Sequence, residues 1–600
     1  MKKIIYIIAC ACMMGFSSCA DTFLDLEPLD SRTDQVYFKT PTHFREFSNG
    51  FYSQLFGWRS GITGHMDLQS DLVTSRNGEQ SDIGYGALVV NDKDACWDIY
   101  NSIRTNNILL QRAESYAGDP REIQEYVSEA HFFRAYNYFS LLQHFGGVPI
   151  VLVPYDTGDS RLKAPRNSRY EVVDLILSDL DKAIAGLPIE QNIADADKGH
   201  ISRQGAKAFK ARVLLYEATW RKYNGTSTDF EGSSGPSRDQ INEFLDEAIA
   251  LAKSVMDDPA FRLWNYNGED VMKNLSNRYL FCIESADSNP GKHGRDTNQE
   301  FILYSVFDKD ANAGAIELNK NILPYIYPTR KFIDMFVCTN GLPIAGNEQF
   351  KGYHNMGDEF QNRDYRMNSY VGAPTTVIKL SGTIGFGGYG VQKFMCPGTK
   401  DKEESANYPV LRLAEVYLIY AEALMERHGS ITDEELNVSI NKLRGRAGVA
   451  SLTNKQVTDH QLDMLEEIRR ERAVELFLEG FRYDDLKRWG VLESMLNQSR
   501  LGMVVGDPGY RTPYKDASGS VITDAYDNKS YRYGEEQTTT GDGELSCVLL
   551  APKSNSHLRK AHYLYPIPQN QINLNPNLKQ NPGYNCCLLY TSPSPRDTER

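Results

Sequence analysis

Asp308, Asp310 and Asn312 stand at the alternate spacing with which an EF-hand loop begins to wrap calcium. The sixth position is Ala313, where the sharp turn needs glycine, and the twelfth is Asn319, where a bidentate glutamate should close the shell. The pattern fails as a calcium loop. Gly385, Gly387 and Gly390 satisfy GxGxxG, but a dinucleotide turn must open a helix after a strand. Here the residues that follow are polar and interrupted by Pro397, so the stretch reads as a glycine-rich loop or hairpin. No histidine precedes a glutamate, so no HExxH is present, and neither a GxSxG elbow nor a P-loop occurs. Carboxylates are plentiful enough to supply a glycosidase pair, yet nothing in their spacing nominates one. The reading is a non-enzyme that needs no metal or cofactor.

Composition agrees with a binding role. Acidic residues outnumber basic ones 79 to 65, for a net charge of −14. Such a surface repels nucleic acid and anionic lipid, and no nucleic-acid partner is expected. Aromatic residues make up 11%, with 35 Tyr against 5 Trp. Most belong in cores and loops, but tyrosine also offers an apolar face and a hydroxyl to a ligand. Of the 10 cysteines, Cys96, Cys282, Cys338, Cys396 and Cys547 lie in the body of the chain. They are scattered, with no CxxC pair and no histidine at metal spacing, and are expected as buried free thiols.

The ends are unlike the body. Lys2 and Lys3 precede an apolar run, Ile4 to Phe16, that is too short to span a bilayer and reads as a secretory signal. Phe16-Ser17-Ser18-Cys19 resembles the lipobox of bacterial lipoproteins. On that resemblance residues 1–18 are removed, and Cys19 receives a diacylglycerol on sulfur and an acyl chain on its new amine. Several chains anchor stably where one would not. Asp21, Asp25, Glu27 and Asp30 resemble the export signal that sends such lipoproteins to the outer face of the outer membrane. No later apolar run approaches a membrane span, so a water-soluble body is expected. After Asn585 the composition changes abruptly to CCLLYTSPSPRDTER, which resembles translated adapter sequence. Residues 586–600 are therefore expected to be a non-native, unpacked tail.

Helical periodicity marks Arg121–Phe145, with Val127, Ala130, Arg134, Tyr138 and Leu141 in one stripe ended by Gly146-Gly147. Ser168–Leu187 opens with a Ser168-x-x-Glu171 capping box and closes at Pro188. Ser202–Trp220 carries Ala206, Ala211 and Ala218, which permit close helix approach. Further helices are read over Gln240–Met256, Pro409–Arg427, Glu434–Arg446 and His460–Gly480. Helices concentrate at 121–257 and 408–490. The stretches 260–405 and 495–562 are rich in loops, with strand-like runs such as EFILYSVF. Helix pairs of this size suggest tetratricopeptide-like hairpins without a strict repeat. In the last helix Arg472 sits among Leu465, Ile468 and Leu476, where it must either pair with an acid or snorkel to solvent. The other charges there read as solvated faces and helix pairs.

These segments, in order, carry a resemblance: the lipobox and CADTFLDLEP, WDIYNSIRTNNILL, EAHFFRAYNYFSLLQHFGGVPIV, ISRQGAKAFKARVLLYEA, NYPVLRLAEVYLIYAEAL, INKLRGRAGV, EEIRRERAVELFLEGFRYDDLKRWG and LYPIPQNQINLNPNLKQNPGY. Spanning Cys19 to Tyr584, they resemble the SusD/RagB family of surface nutrient-binding lipoproteins. The resemblance implies a mostly α fold, with tetratricopeptide-like helix pairs as scaffold and long irregular loops with minor β. It implies one binding domain over residues 19–585 and capture of a glycan, or in some relatives a peptide. The implied partner is a SusC-like TonB-dependent outer-membrane transporter, which the lipoprotein caps as a lid. A sugar site needs exposed rings beside a few amide, carboxylate or guanidinium groups. On that chemistry Asp71, Arg76, Asn77, Trp97 and Asn101 form one candidate group, and Tyr304, Asn319, Tyr325 and Tyr327 another. Trp97 could equally anchor its helix, and PYIYP could be a strand fenced by prolines. A peptide importer, a surface glycoside hydrolase and an adhesive surface protein are the competing readings.

Overall fold

The computed structural model describes residues 37–58, 67–75, 83–226, 230, 232–308, 318–319, 323–353, 357–372, 388–398, 403–504, 536–540 and 543–584. The signal, Cys19 and the 586–600 tail lie outside them, as do Arg76, Asn77 and most of the calcium-like and glycine-rich loops. The main helices are α1 (Pro41–Asn49), α2 (Ile99–Glu114), α3 (Gln124–Phe145), α4 (Arg169–Gly186), α5 (Arg203–Asn224) and α6 (Ile241–Met256). After the loop-rich middle come α7 (Leu413–His428), α8 (Ile440–Arg446), α9 (Met464–Glu475) and α10 (Arg482–Arg488). The strands are β1 (Val73–Ser75), β2 (Phe301–Ser305), β3 (Ile326–Pro328), β4 (Val371–Gly372), β5 (Gly390–Val391), β6 (Tyr408–Arg412), β7 (Arg500–Val504), β8 (Glu536–Thr540) and β9 (Gly543–Ala551). They form small antiparallel sheets, β1–β3, β2–β6, β4–β5 and β7–β9–β8. The architecture is mostly α with minor β, as the sequence implies.

Local signals explain the helix ends. Ser168 accepts from the Glu171 amide and Glu171 accepts from the Ser168 amide, so the capping box closes at the start of α4. Gly146 ends α3 at φ 77°, a backbone state that costs other residues energy. Replacing Ser168 with Ala should lower unfolding free energy by about 1 kcal/mol in urea titration, with Ser168→Asp restoring most of it.

Three expected boundaries shift. Pro409–Arg412 is not helix but β6, whose backbone pairs with β2 from Phe301↔Arg412 to Ser305↔Tyr408. The expected 434–446 helix breaks at Ser439, whose hydroxyl donates to the Glu435 carbonyl and competes with the helical ladder. The expected 460–480 helix starts later, at Met464, because Asp463 caps it by accepting from the Glu466 amide.

Consecutive helices pack in pairs, α3 on α4 and α5 on α6. The packing of α4 on α5, α2 on α3, α7 on α6 and α9, and α10 on α5 joins them. Ala206, Ala211 and Ala218 are fully buried in α5, as close approach requires. One buried apolar cluster runs from Phe38 to Leu578.

A charged layer lies within it, which corrects the reading of the α9 charges as solvated. Glu467, Glu471, Glu475 and Glu479 recur every four residues along the chain of α9 and its C-terminal turn, and all four are buried. Arg412 of β6 donates to Glu475 at 2.7 Å and to Glu300 at 2.8 Å, and Arg446 of α8 donates to Glu475 at 2.6 Å. Arg366 reaches Glu475 at 2.9 Å, while Arg412 and Lys393 hold Glu479 at 2.7 and 2.6 Å. This layer fixes α9 against β6 and α8 and so sets the wall of the cleft described next.

Candidate functional site

A cleft of about 690 Å³ opens between α3, α5, β6 and the α9–α10 turn. Its size suits a small ligand. Rings dominate its walls: Tyr136 and Phe139 from α3, Phe209 and Tyr216 from α5, Tyr408 from β6, and Phe481 before α10. Phe56, 37% exposed, contributes a ring accessible to solvent. Its backbone is fixed on both sides, the amide donating to the Tyr136 hydroxyl and the carbonyl accepting from Ser305. Phe481 lies beneath two guanidinium groups, those of Arg212 at 5.1 Å and Arg472 at 5.3 Å from its ring centre.

Each carboxylate lining the cleft has a cationic or imidazole partner. Asp94 lies 2.9 Å from His144 Nε2. Asp484 pairs with Lys487 at 2.5 Å, and Asp485 takes both Arg472 and Arg488 at 2.8 Å. Glu479 is held by Arg412 and Lys393. Burial alone would raise the Glu479 carboxyl, but those two cations overcome it and hold it below its ordinary range. Burial pushes His144 down against the pull of Asp94, and its ring stacks on Tyr565 with centres 3.5 Å apart. A carboxylate committed to a cation is a fixed acceptor and a poor proton shuttle. Arg472 is buried and paired with Asp485 rather than snorkelling, and its Nη1 has no hydrogen-bond partner among the described residues. Phe56 and Phe481 thus offer partly open ring faces beside fixed polar groups, with Tyr136, Phe139, Phe209, Tyr216 and Tyr408 buried behind them, an arrangement that suits a neutral polyhydroxylated ligand.

The sequence candidates fall around this cleft and beyond it. Trp97 is half-buried, packed on Phe145 and Tyr100 with ring centres 5.2 and 5.3 Å away. It belongs to the turn Ala95–Asp98, capped by Asp94 on the Cys96 amide, and that turn supplies Asp94, Ala95 and Cys96 to the cleft wall. Asn101 is exposed in the first turn of α2. Tyr304, half-buried in β2, sits opposite Pro409, itself a wall residue, and burial raises its hydroxyl to about 12. The cleft therefore adjoins one member of each candidate group, Trp97 and Tyr304.

Asp71, Asn319, Tyr325 and Tyr327 lie elsewhere. Pairing of β1 with β3 brings the Asp71 segment against Tyr325–Pro328, with Thr74 opposite Tyr327. Asp71 is buried between Arg482 at 2.9 Å and Lys331 at 2.8 Å. Burial opposes its charge, but these cations win and hold it well below the carboxylate range. Tyr327 is buried, and Tyr325 ends the turn Leu323–Tyr325. Asn319 exchanges two hydrogen bonds with the Cys396 backbone, at 2.9 and 3.1 Å. Phe56, Tyr136 and Phe481 did not stand out in sequence, because a ring on a helix or beside one looks like core and their convergence is tertiary.

Among the described residues no helix is long and apolar enough to cross a membrane, and no group of three or more His, Cys, Asp or Glu residues could hold a metal.

Residues 279–584 match the family model described as the SusD family. Residues 23–215 match one described as starch-binding and associating with the outer membrane. A SusD-like protein of Bacteroides ovatus is 23% identical over 97% of this chain and 98% of its own length. The crystal structure of a SusD-like protein from Bacteroides fragilis superposes with TM-score 0.67 at 20% identity, covering 93% of this chain and all of that one (100%). A laminarin-binding SusD-like protein gives TM-score 0.58 at 18% identity over 91% of this chain and 100% of that one.

Proposed function

The chain belongs to the SusD family, and from that premise we propose that it is a non-catalytic glycan-binding protein of the outer membrane. The observation that carries this reading is the ring-lined cleft whose carboxylates are all engaged by basic partners. Rings and fixed polar groups suit capture, and Glu479, Asp484 and Asp485, each held by arginine or lysine, do not suit the proton transfers of glycoside hydrolysis. The match to a starch-binding, membrane-associated family and the likeness to a laminarin-binding protein support a glycan as ligand.

The role is capture and delivery. Cys19, carrying lipid, tethers the protein to the outer face of the membrane, and a SusC-like TonB-dependent transporter receives the glycan beneath it. Residues 19–585 act as one binding unit, and the flanking Trp97, Asn101 and Tyr304 extend the surface for a chain longer than the cleft. Arg76, Asn77, Asn319 and Tyr325 are a second set of contacts to be tested, from which Asp71 and Tyr327 drop out because they are buried.

Titration against a panel of oligosaccharides tests the site. Phe56→Ala should weaken the responding glycan about tenfold, the effect of one lost stacking ring, and leave the urea midpoint nearly unchanged because the ring is partly exposed. Unchanged affinity would remove the cleft from the binding surface. Cys19→Ala should shift the protein from the membrane to the soluble fraction without altering its melting temperature. Retention on membranes lacking the transporter would refute the anchor.

A further inference from the structure

All five described cysteines are free thiols, but two of them are not solitary. Cys282 and Cys396 share a small buried cluster with Ala406, apart from the main core. Interaction with the Cys282 thiol, together with burial, raises the Cys396 thiol well above its ordinary range. Cys282 Sγ also donates to the carbonyl of Met395, the residue before Cys396, at 3.3 Å. The segments that carry them are packed independently of the sulfurs. Phe281 and Phe394 meet edge to face at 5.1 Å, and the Lys393 ammonium lies 4.4 Å from the Phe281 ring centre. The two cysteines thus already share one buried cluster, the placement from which a disulfide can close.

We infer that Cys282 and Cys396 are a disulfide site, closed when the exported chain folds in an oxidising compartment. The inference rests on the export reading above. Thiols persist in the cytosol, whereas the cell surface and periplasm favour disulfides. In the bond-forming step both thiols lose their protons, and two electrons pass to the disulfide of a thiol–disulfide oxidoreductase or of oxidised glutathione. That partner leaves as two thiols, and one sulfur–sulfur bond joins residues 282 and 396. Closure belongs to folding, before burial seals the pair, because buried thiols exchange slowly.

The link would tie the Leu280–Cys282 turn to the segment around Cys396. Asn319, a candidate ligand contact, hangs from that segment by its two hydrogen bonds to Cys396. The bond would thus fix the base of a binding loop.

The test is peptide mapping of the full chain, alkylated with N-ethylmaleimide in denaturant and digested without reductant. One sample comes from cells that export it, and a second is refolded in a glutathione redox buffer. A linked Cys282–Cys396 peptide pair in both, lost on reduction, is the expected result, with a melting temperature lowered by roughly 2–4 °C after reduction. A link in the glutathione sample alone would support the pairing and refute export. Both cysteines recovered as alkylated thiols from both samples would overturn the inference. Cys282→Ser and Cys396→Ser should each abolish the linked pair and the reductant-dependent melting shift.

Discussion

Glu475→Ala should cost about 3–5 kcal/mol of unfolding free energy, read as a lowered urea midpoint by circular dichroism, because it strands buried charge. Glu475 is fully buried and accepts from Arg412, Arg446 and Arg366, which come from three other segments. Removing it leaves those guanidinium groups dry and short of an anion. Burial opposes the Glu475 charge, but the three arginines win and hold its carboxyl far below the ordinary 4.5. A depressed carboxyl contributes stability above its unfolded pKa and loses it as pH falls. The wild-type protein should therefore weaken below about pH 4.5. Glu475→Gln, which keeps the shape and removes the charge, should fold with a flatter acid limb. A loss under about 1 kcal/mol in the alanine variant would show that the layer is not what holds α9 in place.

Asp67→Asn should act in the opposite direction. Asp67 is buried at φ 53°, and its carboxyl oxygens accept from the amides of Leu478 at 2.6 Å and Arg482 at 3.1 Å. Burial raises its pKa from 3.8 to about 7, against the pull of those amides and of Lys393. Between these values the folded state keeps a proton that the unfolded chain releases, so this group's contribution declines as pH rises, and is level beyond about 7. Asparagine tolerates the left-handed backbone and does not titrate. Relative to wild type, Asp67→Asn should gain about 3 kcal/mol between pH 5 and pH 8, measured by paired urea titrations. Parallel pH profiles would place the Asp67 carboxylate in the ionised state throughout.

What could be read in the sequence was what acts locally. The Ser168–Glu171 box and the Gly146 stop do what their types dictate because their partners lie within a few positions, and the small residues of α5 signal close packing without naming the helix that packs there. The charged stripe of α9 misled because Glu and Arg every four residues look the same on a solvated face and on a buried one. Its partners come from Arg366, Arg412 and Arg446, far away in the chain. Arg472 was the one hint, a cation inside an apolar stripe, and it found Asp485. The cleft was hidden for the same reason. Tyr136, Phe481 and Phe56 converge only once α3, the α9–α10 turn and the residues after α1 have packed. Trp97 and Tyr304 could be nominated from sequence because an aromatic beside a turn or on a short strand fits a ligand face as readily as a core, and the structure sets both next to wall residues.

The central claim is that this protein captures a glycan and leaves it unaltered. Calorimetric titration of the chain from Ala20 to Asn585 with panels of oligosaccharides and oligopeptides, with mass spectrometry of the recovered ligand, tests it most directly. Saturable heat with at least one oligosaccharide, none with the peptides, and a ligand mass unchanged after prolonged incubation are the expected results. Binding confined to peptides, or a shortened oligosaccharide whose production one carboxylate substitution abolishes, would contradict it.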